Sequence, residues 1–235
     1  MAPVSLEVHL TYGCNLRCEN CNRGVGMGID HTPDLTIDTW QRCLRAAPEY
    51  VRMKRKALGV YFTGGEPTML GMDRIQDFIA ATLEIAPRPA LGIFSNAATP
   101  QSREMLATLA AQGLRNHGAP KVKGQPDYTF STNMFMSPVD TGITRAEPCD
   151  WGFTCGHSVD EYGMTPCPMG GTIDGILKLG VRTWDWNELT TERLMRLCAH
   201  CGRNVAEPGP SIEMFDVRGF RMTREWKDAV DGWSP

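Results

Sequence analysis

Three observations predict an α/β fold for this 235-residue chain, with parallel strands in a sheet or partial barrel and a smaller region after it. A strand-like segment is followed by a helix-like one three times in the first 113 residues, an alternation that leads to parallel strands joined by right-handed crossovers. Each strand-like segment runs into a loop of unusual composition: Cys14-Asn-Leu-Arg-Cys18-Glu-Asn-Cys21, then Gly64-Gly65-Glu66-Pro67, then Ser95-Asn96. From Pro148 onward Gly, Pro and Cys dominate, so this part is expected to be organised by ligands rather than by a large apolar core.

Residues 4–10 alternate, with Val4, Leu6, Val8 and Leu10 on one face, the period of a half-buried strand. After a glycine-rich loop, Thr36 is positioned to cap a helix to about residue 45 with Trp40, Cys43 and Leu44 inward, and Pro48 interrupts it. Residues 59–62 are a short apolar strand that breaks at 63–67. Over 72–86, Ile75, Phe78, Ile79 and Leu83 recur at helical spacing. Residues 90–94 read as a third strand. Thr99 and Pro100 are a good N-cap and first-turn pair, and Met105, Leu106, Leu109 and Ala110 form the expected buried stripe before Gly113. A further strand is expected at 127–135, and helical periodicity returns at 190–198.

With 42% hydrophobic and 22% charged residues, the composition is that of a soluble globular protein. Lys+Arg 24 against Asp+Glu 27 gives a net charge of −3, so no nucleic-acid or membrane partner is expected on electrostatic grounds. No run approaches the roughly 20 apolar residues of a membrane span, and the N-terminus lacks the plan of a signal peptide, so a cytoplasmic location is expected. In a reducing cytosol, nine clustered cysteines indicate metal or catalysis more often than disulfides.

Cys14, Cys18 and Cys21 lie within one tight loop, near enough to serve one metal centre. A structural zinc site normally takes four protein ligands, whereas a [4Fe–4S] cluster held by three cysteines leaves one iron open to an external chelate. Zinc with His9 or His31 as fourth ligand is the alternative. In Gly64-Gly65-Glu66-Pro67 the two glycines let a backbone pass close to a ligand, and exposed amide and carbonyl groups there can bind an amino-acid moiety; a plain turn would use the same residues.

Together these motifs resemble the radical S-adenosylmethionine (radical SAM) enzymes, whose signature is C-x3-C-x2-C after the first strand and a GGEP-type motif after the second. The resemblance implies a shortened partial (β/α) barrel in which Cys14, Cys18 and Cys21 hold a [4Fe–4S] cluster. It implies that the open iron chelates SAM, with Gly64, Gly65, Glu66 and Pro67 at the methionyl end. Ser95 and Asn96 match the polar pair that in many members binds the ribose, or else simply form the turn into the next helix. Asn20 stands where the family often has an aromatic residue. The implied chemistry is reductive cleavage of SAM to methionine and a 5′-deoxyadenosyl radical that abstracts hydrogen from substrate, with an external one-electron donor of flavodoxin or ferredoxin type.

The later cysteines resemble the Twitch domain, the shortened form of the SPASM auxiliary-cluster domain, and their spacing is similar to that of the butirosin-pathway aminocyclitol dehydrogenase. That likeness implies a second, auxiliary [4Fe–4S] cluster on Cys149, Cys167, Cys198 and Cys201. Cys155 is an alternate ligand, because Cys149-x5-Cys155 also resembles the start of a full SPASM domain. Structural zinc is the other reading of these thiols. The expected organisation is a radical SAM core over 1–147 and a Twitch-like region over 148–235. No peptide-recognition domain is expected ahead of the first strand, which favours a small molecule or short peptide as substrate: dehydrogenation of a sugar or cyclitol alcohol first, modification of a peptide side chain second. A non-catalytic zinc protein is the rival from another class.

Cys43 is expected to be a buried apolar residue. Arg42, Arg45, Arg52, Lys54, Arg55 and Lys56 form a solvated face, or an anionic-substrate contact if they converge on the sheet rim. Trp184, Trp186, Trp226 and Trp233 are expected to cover the smaller region and the open end of the barrel.

Overall fold

The computed structural model describes residues 4–18, 21, 23–25, 33–53, 58–125, 156–201, 228–229 and 232. The first strand, β1 (Val4–Thr11), carries the expected alternation, with Leu6, Val8 and Leu10 fully buried. α1 (Ile37–Ala46) starts where Thr36 accepts the Thr39 amide, and it buries Trp40, Cys43 and Leu44. It ends as expected before Pro48, with Ala47 in the extended conformation that a following proline imposes, and a short α2 (Glu49–Met53) resumes. β2 (Leu58–Gly64) lies parallel to β1, Leu6 beside Val60 and Val8 beside Phe62.

A 3-10 turn (Pro67–Leu70) leads into α3 (Met72–Ile85). The helix turns Ile75, Phe78, Ala81 and Thr82 inward, while Leu83, expected in the stripe, is 42% exposed. Thr82 takes the inner position because its hydroxyl is satisfied there, donating to the Phe78 carbonyl (2.6 Å) and accepting from the Trp40 indole (2.9 Å). β3 (Ala90–Ile93) and α4 (Pro100–Ala111) follow, the helix opened by a reciprocal cap between Thr99 and Ser102. Of the expected α4 stripe, Leu109 is fully buried and Ala110 is exposed. The sheet beneath is narrow, since the next strand, β4 (Arg115–Asn116), has only two residues.

β5 (His157–Asp160) and β6 (Gly163–Thr165) complete a six-stranded sheet of order β4-β3-β2-β1-β5-β6. The first four strands add outward in chain order. β5 instead joins the other side of β1, parallel to it, with Val8 beside Val159, and only β6 is antiparallel. Strands from the cysteine-bearing part therefore continue the same sheet, and Val159 and Met164 enter the same apolar core. α5 (Gly170–Leu177), a 3-10 turn (Trp186–Glu188) and α6 (Thr191–Cys198), capped by Thr190, follow. The strand expected at 127–135 and the 147/148 boundary lie outside the described residues. Among the described residues no helix is long and apolar enough to cross a membrane.

The two faces of the sheet differ. Helices α1, α3 and α4 cover the outer, apolar face formed by Leu6, Val8, Val60, Phe62 and Ile93. The inner face carries Glu7, His9, Tyr61, Thr63, Ser158, Asp160 and Thr165 at the alternate positions of the same strands.

Candidate cofactor site

The three sequence motifs follow the C-terminal ends of β1, β2 and β3, neighbouring parallel strands, on the rim where ligands of α/β folds gather. The first contact is backbone to backbone. Gly65 N–H donates to the Thr11 carbonyl (2.7 Å) and Glu66 N–H to the Gly13 carbonyl (2.8 Å). A Cβ on Gly64, whose φ is +133°, would lie 2.0 Å from the Thr11 oxygen, and one on Gly65 would lie 2.1 Å from the Gly13 oxygen. The glycine pair thus lets the second loop lie directly on the stem of the cysteine loop.

Glu66 is fully buried and joins all three loops. Its Oε1 accepts from the Thr68 amide (3.0 Å), the Thr68 hydroxyl (2.5 Å) and the Ser95 hydroxyl (2.8 Å), and its Oε2 accepts from the Asn96 amide (2.7 Å). The Asn96 side chain in turn donates to Asn15 Oδ1 (2.8 Å) and lies 3.8 Å from Cys14 Sγ. Asn116, at the end of β4, accepts the Ser95 amide (3.0 Å) and holds the third loop from its far side. That role had no sequence signal, because a two-residue strand shows no alternation.

Cys14, Cys18 and Cys21 are each partly exposed. Burial pushes the Cys14 thiol up to about 11, the Leu16 amide donating to its sulfur (3.4 Å) opposes that, and Cys21, Glu66 and Cys18 add to it. A thiolate at Cys14 is therefore disfavoured by its surroundings, an arrangement that a bound cation reverses. Soft thiol donors on a strand-end loop, with the Leu16 N–H directed at a sulfur, fit an iron–sulfur cluster. Among the described residues no three His, Cys, Asp or Glu side chains close around a single ion. His9 is committed elsewhere: its Nε2 accepts from Arg23 (2.9 Å) and its Nδ1 is 3.0 Å from the Tyr12 hydroxyl, so neither nitrogen is left for zinc. His31 and Asn20 lie outside the described residues.

Below the cysteine loop the inner face holds a buried polar network that sequence reasoning missed. Arg23 pairs with Glu7, Tyr12 donates to Asp160 (3.0 Å), and Arg182 binds Asp160 and Asp174 (2.7 Å each). Burial, then the charges of Arg23 and Arg182, hold the His9 imidazole well below its usual range, so it is neutral. The available signal was polarity at every second residue of the first strand, Glu7 and His9, which also suits a solvent-facing edge.

Of the later cysteines, Cys167 lies in the turn before α5, where the Gly170 amide donates to its carbonyl (2.9 Å). Cys198 ends α6 and Cys201 follows one turn on; both are buried. Leu197 of α6 lies against Gly170 at the start of α5. Cys149 and Cys155 lie outside the described residues. Cys43 is buried as expected, its thiol pushed up to about 12 by burial.

Of the basic run, Arg42 stacks on the Trp184 ring (4.1 Å) and Arg45 pairs with Gln41 and Glu84, both exposed on the outer helical layer in keeping with a solvated face, while Lys54, Arg55 and Lys56 lie outside the described residues. Trp184 and Trp186, expected over the open end, pack instead against the apolar core beneath α1, the Trp186 indole donating to the Cys43 carbonyl (3.0 Å). Trp226 and Trp233 lie outside the described residues.

The family model described as the Radical SAM superfamily matches residues 8–118. GTP 3′,8-cyclase of Mycobacterium sp. (strain KMS) is 28% identical over 179 residues, covering 72% of this chain and 43% of that protein. PqqA peptide cyclase of Methylobacterium sp. (strain 4-46) is 34% identical over 110 residues, covering 47% of this chain and 25% of that one. The chain thus spans less than half the length of the curated relatives it matches. A solved structure described as native anSMEcpe with bound AdoMet matches 48% of this chain and 31% of that chain, at 17% identity and a TM-score of 0.36.

Proposed function

The chain belongs to the radical SAM superfamily through residues 8–118, and from that premise we propose that it oxidises a small molecule, such as an alcohol on a sugar or cyclitol, with an auxiliary [4Fe–4S] cluster as electron acceptor. The observation that carries the site is Glu66, whose carboxylate ties the GGEP loop to Ser95 and Asn96 while its own amide is bonded to the cysteine-loop stem. Cys14, Cys18 and Cys21 would hold a [4Fe–4S] cluster, which with SAM bound would supply the reductive chemistry that yields a 5′-deoxyadenosyl radical for hydrogen abstraction. The methionyl amine falls to Gly64, Gly65 and Glu66, beside Pro67, with the Glu66 carboxylate held in place by the Thr68, Ser95 and Asn96 donors. Ser95 and Asn96 form the ribose side of the same rim. Cys149, Cys167, Cys198 and Cys201, with Cys155 as alternate, hold the auxiliary cluster in a Twitch-like region over 148–235, after a core over 1–147. A flavodoxin or ferredoxin delivers the electron.

A second reading is modification of a peptide side chain, favoured by the likeness of this chain to PqqA peptide cyclases at 34–35% identity over 101–110 residues. Both readings share a first test: iron and sulfide per chain after anaerobic reconstitution, with 5′-deoxyadenosine release under dithionite, beside the variant Cys14→Ala/Cys18→Ala/Cys21→Ala. About eight irons falling to about four in the variant, with nucleoside release lost, is the expected result. About four falling to none removes the electron acceptor and with it the oxidation. No SAM cleavage by the iron-loaded wild type overturns both readings.

A further inference from the structure

We propose that Tyr12 and Arg23 form a clamp that couples the cysteine loop to the segment beginning at Cys167, with Arg23 as its positioning residue. The proposal rests on the reading that Cys14, Cys18 and Cys21 hold a cluster.

Arg23 follows Cys21 by two residues and Tyr12 precedes Cys14 by two, so the two side chains grip the stems of the cysteine loop. Arg23 is 7% exposed. Its Nη1 donates to His9 Nε2 (2.9 Å) and to the carbonyl of Pro168 (2.8 Å), and its Nη2 pairs with Glu7. A guanidinium can only donate, so His9 Nε2 accepts and the proton of the neutral ring sits on Nδ1. Nδ1–H then donates to the Tyr12 oxygen (3.0 Å), and the Tyr12 hydroxyl donates to Asp160 (3.0 Å). Asp160 is held by Arg182, which returns to the Gly171 carbonyl (2.6 Å) and to Asp174 (2.7 Å).

The bonds close a ring. It leaves the cysteine loop at both stems and arrives, by two routes, on residues 168–174, directly after Cys167. Gly171 permits the closure: a Cβ there would lie 2.8 Å from Asp160 Oδ2 and 3.3 Å from the Tyr12 oxygen. Every link is direct, and those through Arg23, His9, Tyr12 and Asp160 are buried, where hydrogen bonds strengthen one another and tolerate little displacement. A change that tightens the cysteine loop is therefore passed to the Cys167 turn and to α5, without contact between the cysteines themselves.

The test is hydrogen exchange by mass spectrometry over residues 167–177 in the anaerobically reconstituted enzyme and in its equally reconstituted Cys14→Ala/Cys18→Ala/Cys21→Ala variant, so that only loading of the three-cysteine loop differs and any cluster on Cys167 is present in both, beside the electron paramagnetic resonance signal of the reduced cluster with and without SAM. Loading is expected to slow exchange over 167–177 about tenfold in the wild type. In Arg23→Met that loading-dependent difference is expected to vanish, with partial recovery in Arg23→Lys. Tyr12→Phe cuts the second arm while leaving Arg23 in place, is expected to halve the difference or more, and keeps the question answerable if Arg23→Met does not fold. A merely structural bond would speed exchange equally in both states and leave the difference unchanged; that result overturns the proposal. A wild type with a SAM-responsive signal but no change over 167–177 overturns the coupling alone. No SAM-responsive signal at all overturns the reading of the three cysteines and the coupling with it.

Discussion

On the outer face of the sheet Leu6, Val8, Val60 and Phe62 pack against α1 and α3; on the inner face His9, Thr63, Ser158 and Asp160 occupy alternate positions of the same strands and are just as fully enclosed. The outer contacts are non-directional. Each large side chain contributes about 1.5–3 kcal/mol by leaving water, and a neighbour of similar volume can replace it. Inner-face contacts are directional and interdependent. A single hydrogen bond adds only about 1 kcal/mol net, yet removing one partner strands another buried polar group at a cost of about 1–3 kcal/mol, more when it is charged. Equal burial therefore hides unequal tolerance: the outer face resists conservative substitution, the inner face does not.

The strongest way to break that contrast is to hollow the outer face. Phe62→Ala, which removes a ring lying 6.3 Å from Phe78, is expected to cost about 3–5 kcal/mol in denaturant unfolding, while Phe62→Leu loses much less. On the inner face the conservative change is the test. Asp160→Asn preserves shape but removes the charge facing Arg182, whose guanidinium burial pulls down but Asp160, then Tyr12 and Asp174, together hold above its usual range. A loss of roughly 2–3 kcal/mol is expected, because Asp174 remains; a neutral result would make the inner face as forgiving as the outer.

Acid titration compares the faces on one chain, since each holds a buried histidine. His9 on the inner face is lowered by burial, Arg23 and Arg182. His157 on the outer face is lowered by burial, which the Pro166 carbonyl opposes, and its buried Nδ1 has no hydrogen-bond partner among the described residues. Both stay neutral when folded and take a proton on unfolding below the ordinary value near 6.5. Stability from these rings is thus full above that pH and falls as pH drops below about 6.5, by at most about 1.4 kcal/mol per pH unit for each histidine until its lowered folded-state value is passed. His157→Phe is expected to remove one of the two contributions. Unfolding free energy that stays level from pH 7 to 5 would show that neither ring is buried neutral.

Much of the outer face was legible in the sequence, because apolar alternation at 4–10 and helical spacing at 72–86 report which side meets the core. The failures came where a polar group had a tertiary partner. Thr82 displaced Leu83 from the α3 stripe through the Trp40 indole, and Trp184 and Trp186 left the open end for Arg42 and the Cys43 carbonyl. The rim was legible in part: Cys14, Gly64, Gly65, Glu66, Ser95 and Asn96 do meet, but the glycines were read as room for a ligand when they first make room for the Thr11 and Gly13 carbonyls.

Local chemistry is written in local sequence, so the three-thiol loop, the glycine pair and the strand-to-helix alternation could be read without a structure and lead to the radical SAM superfamily. Only the tertiary structure decided that β5 joins β1 rather than β4, that Glu66 is the joint of three loops, and that Arg23 and Tyr12 tie the cysteine loop to the turn after Cys167. Those contacts link residues separated by about thirty to nearly a hundred and fifty positions along the chain. A polar residue at an alternating position reads the same whether it faces water or a distant partner, and the difference appears only when the chain has closed around it.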